Sequence, residues 1–163
     1  LSKLGLYNIE ISETFLDRLE DLMERDELDM TLFYRSISSS ENRENWEGFN
    51  SSLVNSSYKS NDISINDWRN WYEEYTSHLA KENILATELN LKMKLVNPKY
   101  VLRNYMAQLA IDAAESGDNR LVDELYQLLL KPYDEQPEME KWYVKRPDWA
   151  KNKVGCSMLS CSS

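Results

Sequence analysis

The sequence predicts an all-α fold, on three observations. Only 4 glycines and 4 prolines are spread over 163 residues, too few for the tight turns of a sheet protein. Apolar residues recur at helical rather than strand spacing through most of the chain. Two such stretches are separated only by Gly117-Asp118, the pattern of a tight antiparallel helix pair. A chain of this length fits one domain and can bury a real core.

Taken in order, residues 12–25 form the first expected helix. Phe15, Leu16, Leu19, Leu22 and Met23 make one apolar stripe, and Ser12 can cap its N-terminus by accepting an orphan backbone N–H. Asp29 can cap a shorter second helix carrying Met30, Leu32, Phe33 and Ile37. Residues 38–62 are rich in Ser and Asn. Trp46, Phe49, Leu53 and Val54 suggest one short helix there between two loops. From Ser64 or Asn66 a stronger helix begins, with Trp68, Trp71, Tyr72, Tyr75, His78 and Leu79 on one face. So many aromatics on one face point to a large buried area. A base-stacking platform would need positive flanks, and the neighbours here are Glu73 and Glu74. His78 lacks the carboxylate or metal spacing of a base or ligand and is expected to be a helix-face histidine.

Residues 84–96 continue the helical pattern. Asn97-Pro98 then reads as a cap followed by a first-turn proline, opening a helix from Pro98 to about Ser116. Val101, Leu102, Tyr105, Leu109 and Ala113 form its stripe, and Gly117 supplies a left-handed C-terminal residue. Asp118 caps the next helix, with Leu121, Val122, Leu125, Leu128 and Leu129, and Pro132 ends it. The residues expected to be buried are Trp68, Trp71, Tyr75, Leu102, Tyr105, Leu109 and Leu125. After Pro132 the periodicity stops, yet Tyr133, Trp142, Tyr143 and Trp149 are unlike a disordered tail. The expected organisation is a helical region over 1–131 and an extended tail over 132–163 that lies along a surface by its aromatics.

The net charge of −9 argues against bulk nucleic-acid binding. No apolar run approaches the ~20 residues of a membrane span, and there is no signal segment, so neither nucleic acid nor membrane is an expected partner. The charge is uneven. Residues 1–34 hold nine acids and three bases, and residues 141–153 hold five bases and one acid. The two ends could attract each other or a common partner, or form two solvated faces.

No nucleophile–base pair, phosphate-cradling loop or metal-ligand spacing occurs, so no catalytic, cofactor-binding or metal residue is assigned. The candidates for chemistry are the thiols Cys156 and Cys161. Two cysteines this close to the end make no disulfide framework. A thiol on a terminal segment reaches a distant partner at small loop-closure cost. Nearby bases favour thiolate, the species that is oxidised or forms disulfides. Cys161 is the expected redox position, against the alternative of an inert terminal thiol. Cys156 is either a resolving thiol or a bystander.

Asn97-Pro98-Lys99-Tyr100-Val101-Leu102-Arg103-Asn104-Tyr105, Gln108, Ala110-Ile111, Ala113 and Gly117-Asp118 together resemble the C-terminal region of the selenoprotein O family. Pro132 to Pro137, Pro147-Asp148-Trp149-Ala150 and Cys161-Ser162-Ser163 extend the resemblance. In selenoprotein members the position of Cys161 is selenocysteine; bacterial members commonly carry cysteine. The resemblance implies a kinase-like fold and transfer of AMP from ATP to Ser, Thr or Tyr hydroxyls of proteins, with Mg or Mn. It places the nucleotide, metal and catalytic residues upstream of the matched region. On this reading the chain is an excised, helical C-terminal portion of a protein adenylyltransferase, as its first residue, Leu1, also suggests. It would support the kinase-like core, carry a redox-regulatory thiol and be inactive alone. Its partners would be the upstream portion of the same protein and the protein substrates. The family resemblance also suggests a disulfide from Cys161 to an upstream cysteine. A bacterial source would make it cytoplasmic. Two rival readings are a stand-alone helical interaction module with an aromatic groove and, more weakly, a small thiol oxidoreductase lacking the usual Cys-x-x-Cys.

Overall fold

The computed structural model describes residues 1–59 and 62–153. It divides into two compact units, Leu1–Asn97 and the part from Pro98 onward. The described residues are helical, without a strand beyond one isolated bridge between Leu28 and Ser57.

The first unit contains α1 (Glu13–Arg25), α2 (Met30–Ser36), α3 (Ser40–Arg43), α4 (Trp46–Ser56), α5 (Ile65–Leu79) and α6 (Ala86–Val96). Several boundaries are written locally, as expected. The Ser12 side chain accepts from the Phe15 N–H, and Asp29 accepts from Leu32. Ser64 precedes α5. The aromatic face of α5 is core. Trp71 stacks on Phe15 at 4.8 Å, and Phe49 of α4 meets Tyr72 at 4.7 Å and Phe33 edge-on at 5.8 Å. The buried polar edges of Trp68, Trp71 and Tyr75 have partners, which is what makes such rings tolerable inside. Trp68 Nε1 donates to Asp26 (2.7 Å), Trp71 Nε1 to the Phe15 carbonyl (3.1 Å) and the Tyr75 hydroxyl to the Leu4 carbonyl (2.7 Å).

The Ser- and Asn-rich stretch is more ordered than its composition suggests. Ser38, Ser52, Ser56 and Ser57 are buried. Ser36 and Ser52 share a 2.7 Å hydrogen bond, and Ser57 donates to the Asp26 carbonyl at 2.7 Å. Small hydroxyl side chains let α2, α3 and α4 approach closely. Gly48 takes this furthest, because a Cβ there would lie 2.1 Å from the Glu41 carbonyl oxygen.

The second unit holds α7 (Asn104–Glu115), α8 (Arg120–Leu129) and two 3-10 turns, Pro137–Trp142 and Asp148–Lys151. Its core is Tyr100, Tyr105, Met106, Ala110, Leu125, Leu128 and Ala150. Gly117, with φ +86°, ends α7 in the left-handed region as expected.

Three expectations are corrected here. Asn97-Pro98 does not open a helix: α7 starts at Asn104, and residues 98–103 run without helical structure. The Lys99 and Tyr100 amides donate to the Pro132 carbonyl instead, and the Asn97 side chain donates to Lys3 O and Ser38 Oγ within the first unit. Leu102 therefore precedes the helix and is 45% exposed, while Leu109 is only partly buried. Asp118 is not the N-cap, a place held by Asn119, but it still accepts from the Arg120 N–H at 3.0 Å. The other expected core residues, Trp68, Trp71, Tyr75, Tyr105 and Leu125, are buried.

Candidate functional site

Cys156 and Cys161 lie outside the described residues. What is described is the path that leads to them, and it is held by a dense set of side-chain contacts within the second unit. Lys99 is the centre of this set. Its side chain is buried, and its Nζ donates to Glu140 (2.6 Å), to the Glu135 carboxylate (3.2 Å) and to the Glu135 carbonyl (2.9 Å). The ammonium also sits over the rings of Tyr100 and Tyr143, at 5.5 and 5.2 Å. Burial pushes its pKa down, but the hydrogen bonds to Glu140 and Glu135 outweigh that and leave it raised. Beside it the Tyr100 hydroxyl donates to the Glu135 and Gln136 carbonyls. Gln136, at φ +40°, turns the chain and donates to the Leu128 and Lys131 carbonyls, the open C-terminal end of α8.

Further along, Trp142 Nε1 donates to Glu124 at 2.7 Å, and Lys141 pairs with the same carboxylate at 2.5 Å. The Glu124 pKa is lowered, chiefly by Lys141. Trp149 meets Tyr105 edge-on at 6.1 Å, and Lys153 pairs with Asp112 of α7 at 2.5 Å. An extended path was expected after Pro132; the described part is instead interrupted by the two 3-10 turns. Lys141 and Lys153, two of the five bases of the basic stretch, pair with acids of α7 and α8. Side-chain contacts with α7 thus continue up to Lys153, three positions before Cys156. Lys99, Gln136 and Glu124 were not singled out by sequence reasoning, since their partners stand up to 41 residues away with no periodic signal.

The remaining polar clusters are structural. Glu82 is buried and accepts from the Tyr7 and Asn8 amides at 2.7 and 3.1 Å. Arg35 donates to the Lys94 and Asn97 carbonyls at the end of α6. Arg43, fully buried, pairs with Glu44 at 2.8 Å beside a cavity of about 260 Å³ lined by Glu44, Thr76, Leu79, Ile84 and Leu89. His78 packs edge-on against Phe15 and lies 3.6 Å from Glu74, which also pairs with Arg18. An apolar groove of about 390 Å³ runs between α7 and α8, lined by residues that include Leu102, Ile111, Val122, Leu125, Tyr126 and Leu129. Among the described residues no cluster of three His, Cys, Asp or Glu has a metal-site arrangement, and no helix is long and apolar enough to cross a membrane.

Against this geometry, comparison with known proteins is decisive for family. The family model for protein adenylyltransferase SelO matches residues 1–131. The chain belongs to that family. A protein nucleotidyltransferase YdiU of Flavobacterium johnsoniae is 51% identical over all of this chain and 32% of its own length. The YdiU of Rhodopirellula baltica is 40% identical over 99% of this chain and 33% of its own. The YdiU of Aromatoleum aromaticum is 40% identical over 92% and 28%. The chain therefore spans about a third of the length of the curated relatives it matches. Relatives of this family carry the name nucleotidyltransferase, and the match includes the Lys99, Tyr100 and Arg103 stretch that opens the second unit.

Proposed function

We propose that this chain is the helical C-terminal third of a protein adenylyltransferase with a kinase-like core. In the reaction, a Ser, Thr or Tyr hydroxyl oxygen of a protein substrate attacks the α-phosphorus of ATP. A P–O bond forms, the bond to the β-phosphate breaks, pyrophosphate leaves and the hydroxyl proton is lost. ATP and Mg or Mn belong to the upstream portion, and no residue of this chain is assigned to them. This chain supports the core, and its end carries the redox thiol Cys161, with Cys156 as resolving thiol or bystander.

The observation that supports the reading best is the likeness along the whole chain to nucleotidyltransferases about three times as long. The aromatics of α5 are buried in the core, which speaks against α5 as the face of a stand-alone aromatic-groove module. The test uses the full-length protein and the 163-residue chain with α-labelled and γ-labelled ATP, Mg or Mn, and a generic protein acceptor. Label from the α position should pass to protein with the full-length enzyme and not with the chain alone. Transfer of only the γ label, or α transfer by the isolated chain at enzymatic rates, overturns the reading.

A further inference from the structure

The helix α6 is apolar on two opposite sides. Leu89 and Met93, one turn apart, are buried in the core of the first unit. Leu91 and Leu95, also one turn apart, stand two residues on, about 200° around the helix. They are 67% and 71% exposed. Leu85, just before the helix, is exposed as well. A single exposed leucine means little. A helix with a second i, i+4 leucine stripe opposite its buried one has the pattern of a helix covered on both sides. The start of the chain lies against the same helix. The turn Ser2–Leu4 packs on α6, a Cβ on Gly5 would lie 2.8 Å from Met93 Sδ, and Asn97 at the end of α6 holds the Lys3 carbonyl at 2.9 Å. On the reading of the chain as the C-terminal third of proteins about three times as long, the segment preceding Leu1 would enter beside α6, on its Leu89 and Met93 side, and leave the opposite side for the rest of the longer chain to cover.

We propose that Leu91 and Leu95 form the docking face on which the upstream portion of the full-length protein packs. This rests on the reading of the chain as the C-terminal third of a longer enzyme. The rim of the stripe suits a polypeptide rather than a lipid partner. Lys92 bridges to Glu88 at 2.8 Å and lies over the Tyr7 ring at 5.6 Å, so its charge is already engaged.

Leu91→Cys and Leu95→Cys, made separately in the full-length protein, test it. Labelling of the new thiol by a maleimide is followed by peptide mass spectrometry, and its rate in native buffer is divided into its rate in denaturant. The expected protection is at least tenfold at both positions. Lys92→Cys, at the rim of the same stripe, serves if either leucine variant does not fold. Rates within about twofold of the denatured ones overturn the proposal. Protection that appears only as concentration rises, together with a dimer in light scattering, overturns it in favour of a second copy. Loss of protection on ending the protein after Lys153 overturns it in favour of the terminal segment. Nucleotidyl transfer by the same preparations is read separately. Protection without transfer sinks the activity reading and keeps the docking face, and transfer without protection does the reverse.

Discussion

At the scale of single residues, Lys99 does the most to set the course of the chain towards its cysteines. Its ammonium is buried, but its carboxylate partners Glu135 and Glu140 are more than half exposed, so solvent screens the pairs. Lys99→Met is therefore expected to cost about 1–3 kcal/mol, the range of hydrogen bonds to charged groups, rather than the full cost of a broken buried pair. Denaturant melts check the magnitude, and hydrogen exchange over residues 133–143 checks that the loss is local. A change under about 0.5 kcal/mol would mean that the aromatic contacts alone hold the segment. The pH dependence has a definite sign. A raised lysine pKa contributes fully below the unfolded value of about 10.4 and is lost only as pH climbs through the folded one. The difference between wild type and Lys99→Met should therefore stay flat from about pH 6 to 9 and shrink in stronger alkali. None of this was legible in the sequence, where Lys99 stands in a helix-start pattern and its partners follow a stretch with no period.

At the scale of elements, what was legible is what is local. Ser12, Asp29 and Gly117 mark ends through their own backbone neighbours, and the structure uses them there. The failure at Asn97-Pro98 has a tertiary cause. The Asn97 side chain donates to the Lys3 carbonyl and Ser38 Oγ, and the Lys99 and Tyr100 backbone amides turn to Pro132, so helix formation waits until Asn104. Gly48 gives a test in which local and tertiary rules disagree. Gly→Ala inside a helix ordinarily gains up to about 1 kcal/mol. Here the added methyl would strike the α3 backbone, at Glu41 O and Asn42 Cα, and backbone cannot rotate away. Gly48→Ala should destabilise by about 1–3 kcal/mol as an overpacking change, read from denaturant melts. A stabilised variant would show that α3 and α4 are not in this contact. At the start of α8, hydrogen bonds from the Arg120 side chain and amide lower the Asp118 pKa to about 2. Its contribution is present above the ordinary carboxylate value of about 3.9 and lost as pH falls through 2. A carboxyl carbon shift in an NMR titration should show that midpoint, and one near 4 would remove the Arg120 contact from the account.

At the scale of the whole molecule, the family and its helical class could be read from motifs in order along the chain, because each is carried by several neighbouring residues. The proposed redox role of Cys161 could be read only as a position, since a reactive thiol is defined by what it meets. The described structure supplies the anchored path up to Lys153, paired with Asp112 on α7, but the residues that carry the thiols lie beyond it. The chemistry can still be balanced. On the proposed reading, a thiolate at Cys161 would attack one oxygen of hydrogen peroxide; the O–O bond breaks, the peroxide takes two electrons from the sulfur, hydroxide leaves and a sulfenic acid remains. A second thiol then displaces water from the sulfenic sulfur and closes a disulfide. Cys156 is the thiol nearest in sequence, while the family resemblance suggests an upstream cysteine in the full-length protein. Peptide mapping of peroxide-treated full-length protein should therefore find Cys161 joined to an upstream cysteine. Cys161→Ser should abolish both that link and any peroxide-dependent change in nucleotidyl transfer, and Cys156→Ser should leave both in place. A Cys156–Cys161 link as the main product would make the pair a local thiol couple. If Cys161 stays a free thiol under peroxide while transfer still changes, the switch lies elsewhere in the enzyme, and the anchored segment from Pro132 to Lys153 serves stability alone.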